Sequence, residues 1–335
     1  MVNHQFFDFL VIGNISTEFI VDLNHRPHND LLAGPALYAA GGIRCWNERV
    51  ALIGKTHESH RYELQRMQKR YLLDIEGVSL SPKNHESIQF IGYLSPHEVF
   101  SGNPVPFYAS RKIEFPRGLI GFDFSTGDDL SDKPVKFLHE DFPIHYRDIT
   151  AALVCKTDLP TQLQLTSLLQ KGPTRILVLQ ASDKYMLKDQ YENMPILLKD
   201  TTAFITNERQ LYSLFQNRSQ DRWEMITALA SLKCEHVLVE DTNFGFFLFN
   251  QHSGKRLHMP AYPAPINDPT GYQESFCGGF TAGIKRKYDP VEALICGIVS
   301  ASFTMEGSGA FYCADAYPSL VQSRFNYSRK MLKVL

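Results

Sequence analysis

The second half of the chain alternates between strand-like and helical segments, and no other sequence feature restricts the possible folds as strongly. Strand-like runs occupy residues 151–155, 175–180, 202–206 and 236–240, and segments with helical character occupy residues 160–171 and 223–233. The strand-like runs are short and mostly apolar, as strands covered on both faces are. Strands separated by helices of this length predict a parallel sheet with helices packed on both sides.

The N-terminal region contains further elements of the same kind. Residues 6–13 and 49–54 are apolar runs that end in glycine, which predicts two more buried strands. Residues 14–23 alternate between polar and apolar side chains, which predicts an exposed strand. A helix is predicted to begin near Pro35, and residues 60–73 have helical spacing.

Two segments lie outside this alternation. Residues 87–115 are rich in β-branched and aromatic side chains but are interrupted by glycine and proline, which predicts a hairpin with a long loop. Residues 116–146 are irregular and rich in Pro and Asp, and no chemistry can be assigned to them. Ligands of parallel sheets bind beyond the carboxyl ends of the strands, where Gly13 and Gly271 are expected to lie.

Composition narrows the class of protein. Lys plus Arg number 34 and Asp plus Glu number 36, so the formal charge of −2 gives no reason to expect a nucleic-acid or membrane-surface partner. The apolar stretches are too short or too interrupted to span a bilayer, and the N-terminus lacks the pattern of a signal peptide. The six cysteines are scattered, which favours reduced core thiols over disulfides or a zinc site. We therefore expect a cytoplasmic protein.

One turn near the C-terminus carries most of the chemical information. Residues 256–262 alternate like a strand, a turn with Pro269 and Gly271 follows, and the next segment is predicted to be helical through Lys287. The first backbone N–H groups of such a helix can bind a phosphate or an oxyanion. Glu274 lies in the first helical turn, where it can act as a base or can simply be a carboxylate favoured by the helix dipole. The turn alone leaves both readings open.

This turn, D-P-T-G-Y-Q-E-S-F-C-G-G-F, resembles the D-T-x-G-A-G-D-x-F-x-G-G-F signature of the PfkB/ribokinase family of sugar and nucleoside kinases. The matching positions are Asp268, Thr270, Gly271, Phe276, Gly278, Gly279 and Phe280. The resemblance implies that Gly271, Tyr272 and Gln273 form the anion hole and that Glu274 is the catalytic base. The family's A-G-D is replaced by Tyr272, Gln273 and Glu274, so the second anion-hole glycine is missing and the aspartate is a glutamate.

The N-terminal region also resembles this family. In place of the G-x-x-x-x-D segment, whose aspartate contacts the hydroxyls of the acceptor, this chain has Gly13 followed by Asn14 and, at the aspartate position, Glu18. The next glycine-rich element is matched from Gly34 onward, with Tyr38 where many members have asparagine. The resemblance therefore implies substrate binding by Asn14, Glu18, Gly34 and Tyr38.

The nucleotide-side motifs match less well. The family's N-x-x-E, whose glutamate supports the metal, appears here as Asn207 to Gln210, and a neutral amide lacks the charge that Mg²⁺ prefers. The family's G-x-x-G appears with Thr242 in place of its first glycine, followed by Gly245. Gly309 falls in the loop that walls the adenine pocket in the family. These five residues are the predicted nucleotide site, and no metal-ligating residue is predicted.

Taken as a whole, the resemblance covers almost the entire chain and implies one domain over residues 1–335. Its fold would be a three-layer α/β/α core with a mainly parallel sheet and a small β-sheet lid from residues 16–30 and 87–115, which often pairs protomers as a homodimer. The first functional hypothesis is an ATP- and Mg²⁺-dependent phosphoryl transfer to a sugar or nucleoside. The alternative is a degenerate kinase that binds a small molecule or regulates. An oxidoreductase is set aside, because no G-x-G-x-x-G follows the first strand.

Overall fold

The structure is a computed structural model that describes residues 7–82, 87–121, 137 and 141–335. Its strands form one ten-stranded sheet and one four-stranded sheet. The large sheet has the order β14-β13-β12-β11-β10-β9-β8-β1-β4-β5, and the small sheet has the order β3-β2-β6-β7. Residues 122–136 and 138–140, which make up more than half of the irregular segment noted above, lie outside the described residues.

The strands are β1 Phe9–Ile12, β2 Ser16–Val21, β3 Pro27–Ala33, β4 Val50–Thr56, β5 Leu73–Leu80, β6 Ile88–Ser95, β7 Glu98–Val99, β8 Ala151–Val154, β9 Ile176–Gln180, β10 Thr201–Asn207, β11 Cys234–Glu240, β12 Phe246–Asn250, β13 Arg256–Met259 and β14 Lys333–Val334. The helices are α1 Pro35–Arg44, α2 Arg61–Tyr71, α3 Pro104–Ser110, α4 Leu159–Gln170, α5 Met194–Leu198, α6 Glu208–Leu214, α7 Arg222–Ser231, α8 Tyr272–Lys287, α9 Pro290–Thr304 and α10 Pro318–Arg329.

The large sheet confirms the predicted α/β class. From β5 through β4, β1, β8, β9 and β10 to β11, every neighbouring pair is parallel. The last three strands, β12, β13 and β14, continue the sheet as an antiparallel meander. Helices cover both faces, with α1, α8 and α9 in one hydrophobic core and α4, α6 and α7 in the other. The core therefore has three layers.

The small sheet is mixed: β2 pairs with β3 in antiparallel and with β6 in parallel orientation. The expectation that the strand following Gly13 is exposed is wrong, because every residue of β2 is buried. Phe19 and Val21 pack against Phe107, Tyr108 and Leu119 in a separate small core. The polar residues of this strand are buried as well. Its alternation of polar and apolar side chains therefore reflects two different buried environments rather than one solvent-exposed face.

The second lid segment also differs in part from its prediction. The hairpin is present, since β6 pairs with β7 around a tight turn. The residues expected to form a long loop instead contain the helix α3, which begins after Asn103. The Asn103 side chain accepts a hydrogen bond from the Val105 N–H, and proline occupies the first helical position, so local capping is sufficient to start this short helix.

Within the described part of the chain, no helix is long and apolar enough to cross a membrane. All six cysteines are buried in the cores.

Candidate functional site

A polar cavity of about 390 Å³ opens at the carboxyl edge of the large sheet. Residues at or just after the carboxyl ends of β8, β9 and β10 line it: Lys156, Thr157, Ser182, Asp183, Lys184 and Asn207. The lid contributes Ser16, Ser87 and Gln89, and the start of α8 contributes Gln273. Most of these side chains are polar, and the volume is within the range of small-molecule sites. The cavity thus suits a small, polar ligand.

The proposed base, Glu274, lies buried behind this cavity with only 4% of its surface exposed. Its Oε1 lies 2.9 Å from Lys156 Nζ and accepts a hydrogen bond from Gln180 Nε2, also at 2.9 Å. Gln180 is fixed in turn, because its Oε1 accepts the Lys156 backbone N–H at 3.2 Å. The ends of β8 and β9 and the first turn of α8 thus converge on one carboxylate.

This arrangement keeps Glu274 ionised. Burial opposes its charge, but the Lys156 ammonium and the Gln180 amide outweigh burial and hold the pKa of Glu274 below its usual value. The Glu274 charge in turn raises the pKa of Lys156, against the effect of burial. A general base works best when its pKa lies near the operating pH. The Glu274 carboxylate, paired with the Lys156 ammonium, is therefore deprotonated and able to accept a proton, but it is a weak base.

Gly271 adopts φ +73°, the left-handed conformation that glycine tolerates best, and it caps α8. A Cβ at this position would lie 2.1 Å from the Tyr38 ring, so that ring rests directly on the glycine. The Tyr38 hydroxyl donates to Glu18 Oε2 at 2.9 Å, and both residues are buried. Burial raises the pKa of Glu18 to about 8. Two of the predicted substrate residues therefore contact each other rather than the cavity.

The side chains of the other two predicted anion-hole residues, Tyr272 and Gln273, bind the carboxylate of Glu240, which the sequence analysis did not identify. The Tyr272 hydroxyl donates to Glu240 Oε1 and the Gln273 amide donates to Glu240 Oε2. Glu240 is the last residue of β11 and is 6% exposed. Burial raises its pKa to about 8, while the bond from Gln273 acts in the opposite direction. We call this group, Glu240 with Tyr272 and Gln273, the carboxylate latch.

The N-x-x-Q segment, which stands where the family has its metal-supporting motif, forms a helix cap. The Asn207 side chain accepts the Gln210 N–H at 2.9 Å, and the Gln210 side chain accepts the Asn207 N–H at 3.3 Å, which is a reciprocal capping box at the start of α6. Gln210 also accepts from the Thr206 hydroxyl and donates to Asp183 Oδ1 at 3.0 Å. Both amides line the cavity, but their polar groups already serve the backbone and Asp183.

The turn after β11 is organised by Asp241. Its Oδ1 accepts the N–H groups of Asn243 and Gly245, and its Oδ2 lies 2.7 Å from His258 Nε2. Thr242 is exposed at the tip of this turn. A Cβ on Gly245 would lie 2.7 Å from Asp241 Oδ2 and 2.8 Å from the Met259 carbonyl, so the turn requires glycine there for steric reasons.

Asn14, Gly34 and Gly309 are the remaining predicted residues, and each has a different environment. Asn14 lines the cavity, and its carbonyl accepts the Ala36 N–H at 3.1 Å. Gly34 precedes α1 at φ +100°, where a Cβ would crowd the Ser16 side chain and the Asn14 carbonyl. Gly309 has φ +103°, and a Cβ there would meet nothing within 4 Å. Of the predicted residues, Asn14, Asn207, Gln210 and Gln273 share the cavity.

The lid is closed onto this site in the structure. The Tyr93 hydroxyl of β6 lies 3.0 Å from Thr270 Oγ1 in the turn before α8. His97, between β6 and β7, stacks on Phe244 with ring centroids 4.3 Å apart, and Phe244 packs edge-on against Tyr272. These contacts connect the lid directly to the carboxylate latch.

Sequence reasoning missed Lys156, Gln180, Asp183 and Glu240. A usable signal exists, because each of them ends a strand of the parallel sheet or follows it closely, and such sheets bind ligands at that edge. Among the described residues, the group of side chains spaced for a metal ion is Asp74, Glu76 and His145, which involves the edge strand β5 and does not line the cavity.

The fold and the cavity together define a class: an α/β protein with a mainly parallel sheet, a ligand site at its carboxyl edge and a small lid. A family model described as pfkB family carbohydrate kinase matches residues 146–316, about half of the chain. The chain therefore belongs to the pfkB family of carbohydrate kinases, which confirms the family that its motifs indicated. A search among curated proteins finds none that matches.

Solved structures of the same fold cover nearly the whole chain. Arabidopsis thaliana ribokinase complexed with ribose and ATP is 14% identical with a TM-score of 0.68, covering 96% of this chain and 99% of that chain. Burkholderia thailandensis nucleoside kinase in complex with inosine is 15% identical with a TM-score of 0.67, covering 96% and 98%. A putative Ribokinase II from E. coli in complex with ATP and Mg²⁺ is 13% identical with a TM-score of 0.68, covering 96% and 99%. At such identities the similarity shows the ribokinase-like fold.

Proposed function

We propose that this chain is a ligand-binding member of the pfkB family whose phosphoryl transfer is impaired. The ligand is a small sugar- or nucleoside-like molecule held in the cavity at the carboxyl edge of the sheet. One observation carries the proposal: Tyr272 and Gln273, whose backbone amides the family resemblance assigns to the anion hole, both direct their side chains to the buried Glu240 carboxylate.

The carboxylate latch opposes nucleotide binding in two ways. Burial raises the pKa of the Glu240 carboxyl beside the anion hole to about 8, so in its protonated form it offers no favourable charge to a phosphate, and once ionised it repels the phosphate more strongly than it would in water. The side chain of Gln273 also occupies space that glycine would leave open to a phosphate. Losing a single donor to a developing charge costs on the order of a hundredfold in rate, so a blocked hole alone is a severe defect.

The metal side of the site supports the same proposal. Mg²⁺ prefers carboxylate and water ligands. At the position where the family has a glutamate, this chain has Gln210, whose amide completes the helix cap of α6. Asp183, the carboxylate that lines the cavity, is bonded to Gln210 and paired with Arg209 at 2.7 Å. The residues present thus fit a bound Mg·ATP poorly.

The second candidate function is phosphoryl transfer from ATP to a hydroxyl of a sugar or nucleoside, with Mg²⁺. Glu274 favours it, because this carboxylate is held ionised in the first turn of α8 and can accept a proton. The solved structures of the same fold include complexes with ribose and ATP, with inosine, and with ATP and Mg²⁺. If the latch opens on binding a ligand, the Glu274 carboxylate and the α8 amides provide a base and an anion site.

One pair of measurements separates these functions. Calorimetry with Mg·ATP, followed by a panel of sugars and nucleosides, is expected to show binding of a panel member and weak or absent binding of Mg·ATP. An ATP-consumption assay with the same panel is expected to remain at background for wild type and for Glu274→Ala. Turnover that Glu274→Ala abolishes would establish the kinase instead. If no panel member binds, the proposed ligand-binding function is wrong.

Three predictions from the sequence accompany this proposal. They are a single domain over residues 1–335, a homodimer formed through the lid and a cytoplasmic location. Sedimentation analysis of the purified chain tests the dimer.

A further inference from the structure

We infer that the natural ligand of the cavity carries an anionic group, a phosphate ester or a carboxylate on a polyhydroxy compound, and that cationic side chains hold this group without a divalent metal. The inference rests on the proposed ligand-binding function and names the chemical class of its ligand. It starts from the charges that line the cavity, which include the three cationic side chains of Lys156, Lys184 and Arg209 and one carboxylate, Asp183.

Lys156 presents a cation to the cavity while its counterion stays behind it. The side chain of Lys156 is 48% exposed, whereas that of Glu274 is 6% exposed. Glu274 accepts one of the three hydrogen-bond donors of the ammonium, which leaves donors that can point toward the open cavity. The pair is therefore oriented with its positive end toward a ligand.

Arg209 can exchange its present partner for a ligand. Its pair with Asp183 joins side chains that are 77% and 61% exposed, and exposed ion pairs of this kind contribute little stability. A guanidinium also binds a phosphate or carboxylate through two parallel hydrogen bonds, which is a stronger and more directional contact than a solvated pair. Lys184 lies on the same rim, in the turn that follows β9.

The remaining lining suits hydroxyl groups. Asn14, Ser16 and Gln89 add amides and a hydroxyl to the lining of the cavity. A polyol bearing one anionic group would place its hydroxyl groups against these amides and this hydroxyl, and its charge near Arg209 and Lys184.

The test compares matched ligand pairs by calorimetry in the presence of EDTA. D-ribose is measured against D-ribose 5-phosphate, further sugars and nucleosides against their monophosphates, and D-gluconate against D-glucose. Inorganic phosphate and AMP are separate arms, so that a phosphate ester of a sugar, a free anion and a nucleotide can be distinguished. We expect at least one anionic sugar to bind about tenfold or more tightly than its neutral counterpart, as charge-assisted hydrogen bonds predict, and Mg²⁺ to change this little.

Variants locate the contact. The double change Lys184→Gln, Arg209→Gln is expected to remove most of the preference for the anionic member while leaving affinity for the neutral member within about twofold. Lys171→Gln, at an exposed position at the end of α4, is the matched control and should change neither value.

If ribose and its phosphate bind equally, or the double variant keeps the preference, the inference is wrong while the ligand-binding function stands. If inorganic phosphate or AMP binds as tightly as every sugar ester, the inferred class is also wrong. Failure of all ligands to bind overturns the proposed function and this inference together.

Discussion

Lys156 Nζ lies 2.9 Å from Glu274 Oε1, and this contact joins the end of β8 to the first turn of α8 behind the cavity. Glu274 is buried, so its charge depends on that ammonium and on Gln180. Removing one member of a buried ion pair leaves the other charge uncompensated, and this is far more costly than removing an exposed pair. The contact is therefore a structural element as well as a feature of the candidate site.

Lys156→Met is expected to lower the free energy of unfolding by about 1–3 kcal/mol at neutral pH, less than for a fully buried pair because Lys156 is half exposed. The wild-type pKa of Glu274 is lowered, so its contribution is present above the unfolded pKa and is lost as the pH falls through the folded pKa. Without the ammonium, burial raises that pKa, and the variant should lose stability as the pH rises instead. Urea unfolding across pH measures both slopes.

The matched control is Lys171→Met at an exposed position, which should leave stability and its pH dependence unchanged. Equal stability of Lys156→Met and the control at neutral pH would mean that solvation by water, rather than Lys156, stabilises the negative charge of Glu274.

The carboxylate latch gives a pH dependence of the opposite sign. Burial raises the pKa of Glu240 from 4.5 to about 8, so the native state binds more protons than the unfolded state between these values. Stability from this group therefore falls as the pH rises across that window. Glu240→Gln keeps a polar partner for Tyr272 but does not ionise, and should remove on the order of 1–2 kcal/mol of the decline between about pH 6 and pH 8.

Urea unfolding at a series of pH values measures this difference, with the exposed Glu114→Gln as control. Glu18, whose pKa burial also raises to about 8, should contribute a second decline that persists in Glu240→Gln. A decline of the same size in wild type and Glu240→Gln would show that Glu240 ionises normally and is solvated.

Much of the fold was predictable because it depends on local patterns. The β/α alternation identified the parallel strands β8 to β11, and glycine-terminated apolar runs identified β1 and β4. The burial of β2 was not predictable from its alternation, because Glu18 is paired by Tyr38, twenty positions away, and only the tertiary structure brings them together. The strand β12 and the short edge strand β14 were missed because their pairing partners, rather than their own pattern, define them.

In the candidate site, too, the local features were predictable from the sequence and the long-range contacts were not. The sequence around Gly271 predicted the turn and the helix start, which are local. N-x-x-Q at Asn207 was interpreted through the family motif, although the same spacing is also a capping box, and the structure forms that cap. The partner of Glu274 follows β8 and the partner of Tyr272 ends β11, both far away in the sequence, so Lys156 and Glu240 gave no periodic signal.

Gly271 should be far less tolerant of substitution than Gly309, although both have positive φ. An alanine at either position adopts a left-handed conformation that costs about 1–2 kcal/mol. At Gly271 the new methyl also overlaps the Tyr38 ring, which adds about 1–3 kcal/mol for forced repacking, whereas at Gly309 it meets nothing within 4 Å. Thermal and urea unfolding of the two alanine variants measures the difference.

A double change, Gly271→Ala with Tyr38→Ala, should recover part of the Gly271→Ala penalty relative to the sum of the single changes, because the ring is no longer in the way. Strict additivity would show that the backbone conformation, rather than the contact with Tyr38, accounts for the whole loss.

Opening the carboxylate latch should improve nucleotide binding without restoring turnover. Glu240→Ala with Gln273→Gly removes the Glu240 carboxyl and the side chain that stands beside the α8 amides. We expect the affinity for Mg·ATP to rise about tenfold or more above about pH 8, where wild-type Glu240 is ionised, and to rise less at neutral pH, where its raised pKa leaves it largely protonated. The cost is about 1–2 kcal/mol in stability from glycine in a helix and lost hydrogen bonds. Calorimetry with Mg·ATP measures the affinity, and Gln251→Gly in an exposed turn is the control.

Turnover should stay at background in this variant, because Gln210 still completes the α6 cap and supplies no carboxylate for Mg²⁺. The carboxylate latch would not be the block if wild type already bound Mg·ATP with micromolar affinity, or if the double variant bound it no better than the Gln251→Gly control. ATP consumption that appears in the double variant and disappears on adding Glu274→Ala would instead show that the latch alone separates this chain from a working kinase, since Glu274 would then be acting as the base.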